Sequence, residues 1–364
     1  MPIRTAVIGF GVSGRVFHAP LVAADPAFDL SMIVTADPAR AAAARAEYPS
    51  TRIVPGPDDL FAAAADLDLV VIGSPNSTHL PLALRAVSAG LDVVTDKPVT
   101  VRAGEARSLV QAAEEAGRLL TVFQNRRWDG DFLTISEMIR TGRLGEVRQF
   151  ETAFEWWKPE LGTAWKDTTP PGEGGGILYD LGPHLIDQCL QLFGPVEEVH
   201  AELDRRRQGA VSDDDSFVTL HHGSGVRSRL WMSAVAPAPR PRFRVVGSRA
   251  VATVWGLDPQ EAQLMGGQRP NDAGYRIDMS RMITVSGPEG EEQVPVAAGD
   301  YPSFYAGVAA AITNQTPAPV DAADAVAALS VIETAASTSP HVGPTTRHVG
   351  DGRTNRRTAP AATS

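Results

Sequence analysis

Short apolar, β-rich runs alternate with longer Ala-rich stretches along the first third of the chain: TAVIGF, LSMIVTA, TRIVP, DLVVIGS, LDVVTD and RLLTVFQ, from residue 3 to about 124. Six strands with helices between them predict a doubly wound parallel sheet. The alanines at 41–44 and 62–65 express helix propensity rather than low complexity. After Gln124 the pattern changes. A helix is predicted over Phe132–Arg140, then strand-like segments (VRQFETAFEWW, VEEVHAEL, SFVTLHH, RSRLWMSA, RFRVVGS, AVATVWG) enclosing one helix near 180–193. Strands that do not alternate with helices predict a mixed or mostly antiparallel sheet in a second domain of α+β type. Two further helices are expected at Tyr305–Thr313 and Ala322–Ser337, and beyond them apolar periodicity is lost. The expected organisation is an α/β domain over 1–124, an α+β domain over 125–340 and a flexible tail over 341–364.

The 364 residues suffice for two domains with separate cores. With 33 Lys+Arg against 43 Asp+Glu the net charge is −10, and no long basic run occurs, which argues against a nucleic-acid partner. Cys189, the one cysteine, lies in the apolar stretch LIDQCLQLF and reads as a core thiol, with neither a disulfide framework nor a zinc cluster. No apolar run approaches the roughly 18–20 residues of a membrane span. A cytoplasmic location is expected.

Candidate chemistry begins at Gly9-Phe10-Gly11-Val12-Ser13-Gly14, between the first strand and a helix starting near Gly14. Glycines there permit a tight turn and a close backbone approach, so a pyrophosphate can sit on the helix N-terminus. The reader of the adenosine ribose lies at the end of the second strand, IVTADPAR. If that strand stops at Val34, the reading position holds Thr35, and Asp37-Pro38 opens the next helix as an N-cap pair. Thr35 does not repel a 2′-phosphate and Arg40 can pair with one, which favours NADP over NAD; the alternative puts Asp37 on the ribose hydroxyls. Two more loops end strands on the same edge: Ser74-Pro75-Asn76-Ser77-Thr78-His79 and Asp96-Lys97-Pro98. Both are expected to face the cofactor, although Asn76 and His79 also suit a turn and a helix start.

Lys97, stiffened by Pro98, follows an apolar strand at the expected nicotinamide end. In GEGGGILYDLGPHLIDQCLQLFG, Asp180 and His184 stand four residues apart, and Pro183 places the helix start at or just before Asp180. Both side chains then share a face, with Asp187 positioned to orient the imidazole. Alcohol dehydrogenation without a metal needs a proton acceptor and a group that favours the alkoxide. His184 suits the first role, Lys97 the second, and Asp180 can accept a hydrogen bond from a neighbouring hydroxyl. No GxSxG elbow or zinc ligand set supports a hydrolase.

Through AVIGFGVSGRVFHAPL, SPNSTH, the DKP loop and GGGILYDLGPHLID, the chain resembles the glucose-fructose oxidoreductase / inositol dehydrogenase / MocA family over about residues 3–337. Within it, VFHAP, TVFQNRRWDGDFLTI, RPRFRVVGS and WGLDPQEAQL resemble the NADP-dependent scyllo-inositol dehydrogenases. The resemblance implies Lys97, Asp180 and His184 as the catalytic set and a cyclic polyol or sugar as substrate. It also implies Asn125, Arg127, Trp156 and Trp165 as pocket candidates, and a homodimer or homotetramer built on the open sheet face. Two departures stand out: Asp96 where EKP is usual, and Ala36-Asp37 where the subgroup often has an arginine. His18 fits a structural or a functional role equally. A redox-neutral enzyme of the same fold, or a nucleotide-sensing regulator, are the competing functions.

Overall fold

A computed structural model describes residues 1–162 and 165–338, leaving out the side chains at 165 and 166. The tail expected at 341–364 lies outside the described residues.

The six apolar runs form β1 (Ile3–Ile8), β2 (Phe28–Val34), β3 (Arg52–Val54), β4 (Leu69–Ile72), β5 (Asp92–Thr95) and β6 (Leu120–Val122). They pair in parallel in the order β3-β2-β1-β4-β5-β6. Strands covered on both faces need apolar residues at consecutive positions; all four residues of β4 are buried. The order reverses between β1 and β4, opening a crevice at the carboxyl edge where open α/β sheets bind ligands.

The second sheet contains β7 (Val147–Glu155), β8 (Val196–Asp204), β9 (Asp215–His222), β10 (Arg227–Ser233), β11 (Phe243–Gly247), β12 (Val251–Val254), β13 (Met282–Gly287) and β14 (Gly290–Pro295). Its order is β14-β13-β12-β11-β7-β10-β9-β8, antiparallel except for the β7–β10 pair. Six of these strands match the predicted segments; the β13–β14 hairpin was not predicted. Edge strand β14 has no buried residue, so it lacks the alternation that marks a half-buried strand.

One face of this sheet packs on the helix Ile177–Phe193, through Phe150, Val218, Leu220, Leu230 and Met232 on the strands and Leu185, Ile186 and Cys189 on the helix, all buried. Burial pushes the Cys189 thiol up to about 12, as expected of an inert core cysteine. The other face leaves Phe217 and Trp231 half-exposed, ring centroids 5.2 Å apart.

The helices Pro302–Asn314 and Ala322–Thr338 return to the first sheet. Tyr305 OH lies 2.7 Å from His18 Nδ1, Thr121 Oγ1 donates to Val320 O (2.7 Å), and Glu333 Oε1 accepts from the Ala103 amide (3.0 Å) at the start of the helix Ala103–Glu115. His18 is thus a buried clasp between the two ends of the chain. Among the described residues no helix is long and apolar enough to cross a membrane.

Candidate active site

After β1 the chain turns through Gly9–Gly14 into a wide π-helical turn, Ser13–His18, and the helix Ala19–Ala24. Gly14 is demanded by packing, since a Cβ there would lie 1.9 Å from Gly9 O. Gly11 is different: its φ is unremarkable, and a Cβ would meet nothing nearer than Arg40 Nη1 at 3.6 Å. The fold does not require glycine at 11, and the space left there fits the approach of a pyrophosphate. Val12 beside it is exposed. Strand β2 ends at Val34, leaving Thr35 buried just beyond it. Asp37 caps the helix Pro38–Glu47, its Oδ1 accepting from the amides of Ala39 (2.8 Å) and Arg40 (3.0 Å). Those bonds, Arg40's first, hold its carboxyl below the usual range.

The two downstream loops are joined by His79. Its Nδ1 lies 2.8 Å from Pro98 O and its Nε2 2.8 Å from Ser74 O. Ser74 Oγ meets Thr78 Oγ1 at 2.6 Å, and Pro75 O accepts from the Thr78 amide. Asn76 is buried in the loop after β4, and its Nδ2, beside Gly174, has no partner. An orphaned donor and a glycine cradle on one edge fit a dinucleotide. Asp96 lies 3.9 Å from His18 Nε2; burial alone would raise its carboxyl, but His18 and Lys97 outweigh burial and hold it well below the usual range.

Lys97, joined to Pro98 by a cis peptide, places Nζ 2.5 Å from Asp180 O and 3.2 Å from Asp180 Oδ1. His184 follows one turn along the same helix, buried, with its Nδ1 unpartnered and its ring 6.4 Å from Phe154 in an edge-on contact. Burial, then the charges of Lys97, Arg126 and Arg242, hold the imidazole well below its ordinary value. It is therefore neutral at physiological pH and able to take a proton.

Two expectations about this helix are corrected. It begins at Ile177, three residues before Asp180, because Asp213 caps it from another segment: Asp213 O accepts from the Ile177 amide (2.9 Å) and Oδ2 from the Leu178 amide (2.8 Å). Gly176, at φ +97°, lets Asp213 approach, since a Cβ would fall 2.1 Å from its Oδ1. Asp187 does not orient His184. It takes a two-pronged bond from Arg127 (2.6 and 2.8 Å), which also reaches Asp324 (2.9 Å).

A cleft of about 640 Å³ opens over Asp180, lined by Trp156, Lys158, Arg207 and Asp213 among others. Lys158 Nζ sits 5.2 Å from the Trp156 ring, and Arg207 is held by Asp214 (2.9 Å) and Asp167 (2.8 Å). Asn125 is buried in the turn after β6. Arg127 is not among the cleft-lining residues, and the Trp165 side chain lies outside the described residues. Sequence reasoning missed Asp213, although three consecutive aspartates (213–215) interrupting the strand pattern were a visible signal.

A doubly wound sheet with a glycine cradle, joined to a domain that brings an aspartate and a histidine to the edge carrying a lysine, defines the class of nicotinamide-dependent oxidoreductases. Residues 3–124 match the oxidoreductase family with NAD-binding Rossmann fold, and 132–253 match the GFO/IDH/MocA C-terminal domain. The chain is 38% identical over 342 residues to the uncharacterized oxidoreductase YdgJ of Escherichia coli (strain K12), covering 93% of this chain and 97% of that one. It is 32% identical over 342 residues to the scyllo-inositol 2-dehydrogenase (NADP(+)) IolW of Bacillus subtilis (strain 168), covering 93% and 94%. A crystal structure of an oxidoreductase from Bacillus cereus superposes with a TM-score of 0.81 at 26% identity, covering 92% of this chain and 96% of that one. The chain belongs to the GFO/IDH/MocA family of NAD-binding oxidoreductases.

Proposed function

We propose that the protein is an NAD(P)-dependent dehydrogenase acting on a hydroxyl of a cyclic polyol or sugar, with scyllo-inositol dehydrogenase-like activity and a preference for NADP over NAD. The observation that carries the reading is the contact of Lys97 Nζ with Asp180, one turn from a buried neutral His184. Gly9, Gly11, Val12, Ser13 and Gly14 hold the pyrophosphate, and Thr35 and Arg40 the adenosine ribose and its 2′-phosphate. Ser74, Pro75, Asn76 and His79 lead toward the nicotinamide. When bound, the nicotinamide supplies the hydride acceptor. His184 accepts the hydroxyl proton on an imidazole nitrogen. Lys97 has three N–H donors, spends two on Asp180, and keeps one for the developing alkoxide. Asp180 accepts from an adjacent substrate hydroxyl, and Trp156 offers an aromatic face to ring C–H groups.

The NADP preference is supported by Asp37, whose Oδ1 is already committed to the helix cap, and by Arg40, whose guanidinium lies against Gly11. The half-exposed Phe217–Trp231 pair supports association of the sheet face with a second copy. The test is reduced-nicotinamide formation with NADP⁺ and NAD⁺ over a panel of inositols and aldoses, together with Lys97→Ala and His184→Ala. Turnover confined to polyols and lost in both variants is expected; unaltered turnover in both sinks the mechanism, and product without net cofactor reduction replaces it with redox-neutral chemistry.

A further inference from the structure

Arg242 lies just before β11 and is among the largest fully buried side chains of the protein. Its guanidinium is sandwiched between the rings of Phe154 (4.1 Å) and Phe243 (4.0 Å). It donates to Thr152 Oγ1 and to Gln188 Oε1 (2.8 Å), while its Nε has no partner. No carboxylate among the described residues pairs with it within 4 Å. The nearest acids are engaged elsewhere: Asp129 with Tyr301 OH (2.8 Å) and Arg126 (3.5 Å), Asp131 with Arg281 (2.7 Å). Burying a cation without a bonded counter-ion is costly, and arginine does not escape the cost by losing its proton.

The location suggests what offsets that cost. Gln188, which holds Arg242, stands one helical turn below His184, and Phe154, on which Arg242 stacks, has His184 at its edge. Gln188 Nε2 donates to Arg126 O (2.9 Å), and the Arg126 guanidinium stacks at 5.2 Å on the same Phe154 ring. The charges of Lys97 from the loop after β5, Arg126 from the turn after β6 and Arg242 from the second sheet all act on His184, after burial and in that order. On its own helix Asp180 is paired with Lys97 and Asp187 with Arg127. Around the arginines lie Asp129, Asp131, Asp258 and Glu261; Glu261 is bonded to Arg126 and Asp258 to the Gly130 amide (2.8 Å).

We propose that Arg242 is a positioning residue for this reaction: a cation without a bonded counter-ion, held by Gln188 one turn below His184 and stacked on the Phe154 ring that His184 also meets, it keeps the imidazole in its uncharged, proton-accepting form. The proposal rests on His184 being the base, and the experiment separates the two ideas. In the full chain with isotope-labelled histidine, the His184 imidazole is titrated by NMR in parallel with the pH profile of kcat/KM. In the unmodified protein His184 should titrate well below the ordinary value of about 6.5. Arg242→Met should raise its midpoint by about one unit, roughly a tenfold change in proton affinity, and move the acid limb of kcat/KM with it. Arg242→Lys, which keeps the charge, should restore both.

A folded Arg242→Met with an unmoved midpoint overturns the proposal. So does an unmodified His184 that titrates near 6.5, a result that needs no variant and stands even if Arg242→Met fails to fold. A midpoint that moves while the acid limb stays fixed supports control of His184 by Arg242 and removes His184 as the base.

Discussion

Asp180 and Asp187 lie seven residues apart on one helix and project from nearly the same face, yet their surroundings differ. Asp180 reaches the cleft and is paired with Lys97, both side chains partly open to solvent. Asp187 is buried and holds Arg127 with two bonds. Burial still pushes its carboxyl up, with Arg127 opposing. Helical spacing assigns a face, but the neighbouring elements decide whether that face meets substrate or core. The same residue type thus lines a cleft at one end of the helix and holds a buried ion pair at the other.

The contrast breaks most sharply in turnover. Asp180→Ala removes the acceptor for the neighbouring substrate hydroxyl and the side-chain partner of Lys97, and should lower kcat/KM by about 10–10²-fold, the range for losing a hydrogen bond to a charged group, with little change in melting temperature. A parallel loss of folding would place Asp180 with Asp187 instead. Arg127→Ala leaves a buried carboxylate without its cation and should cost about 3–5 kcal/mol in denaturant unfolding, while the folded fraction keeps a near-normal KM. The double change Arg127→Met/Asp187→Leu should recover much of that loss, because an apolar pair avoids the desolvation penalty. A raised KM in the double variant would return Arg127 to the substrate pocket.

Buried histidines add a dependence on pH. His79, His184 and His222 are all held below the ordinary value, first by burial. Neutral in the fold and protonated in the unfolded chain below about 6.5, they contribute stability that is complete above that pH and declines as pH falls. The histidines should pull the melting temperature down between about pH 6.5 and 5, while the buried Asp129 carboxyl, raised to about 8, pulls the other way; His222→Gln should flatten the histidine share of the fall, and an unchanged profile would refute the burial argument. The smallest effect is expected at Asp37. Asp37→Ala removes a helix cap and should cost about 1 kcal/mol, without shifting the ratio of NADP to NAD turnover. A shift would show Asp37 on the ribose after all.

The parallel sheet was legible because strands covered on both faces are largely apolar, β4 wholly so, and the six runs became the six strands. Edge strand β14, with EEQ exposed, carries no such mark. That Lys97 and Asp180 lie together was readable from local context, a strand end and a glycine approach. The partners of Asp187 and the cap supplied by Asp213 were not, since they come from residues 60 and about 35 positions away. Arg242 was equally hidden: within RPRFRVVGS nothing distinguishes it from Arg240, which is exposed and paired with Glu155.

The clasp formed by His18 with Tyr305, Thr121 with Val320 and the Ala103 amide with Glu333 bears on how portable the cofactor domain is. A fragment cut at residue 124 would keep every strand of its sheet but strip the cover from His18, Phe28 and Phe123, whose rings touch Tyr305. Grafting the nucleotide fold onto another chain therefore means carrying residues 302–338 with it, so the transferable unit is discontinuous in sequence, its last two helices encoded some 180 residues after its last strand.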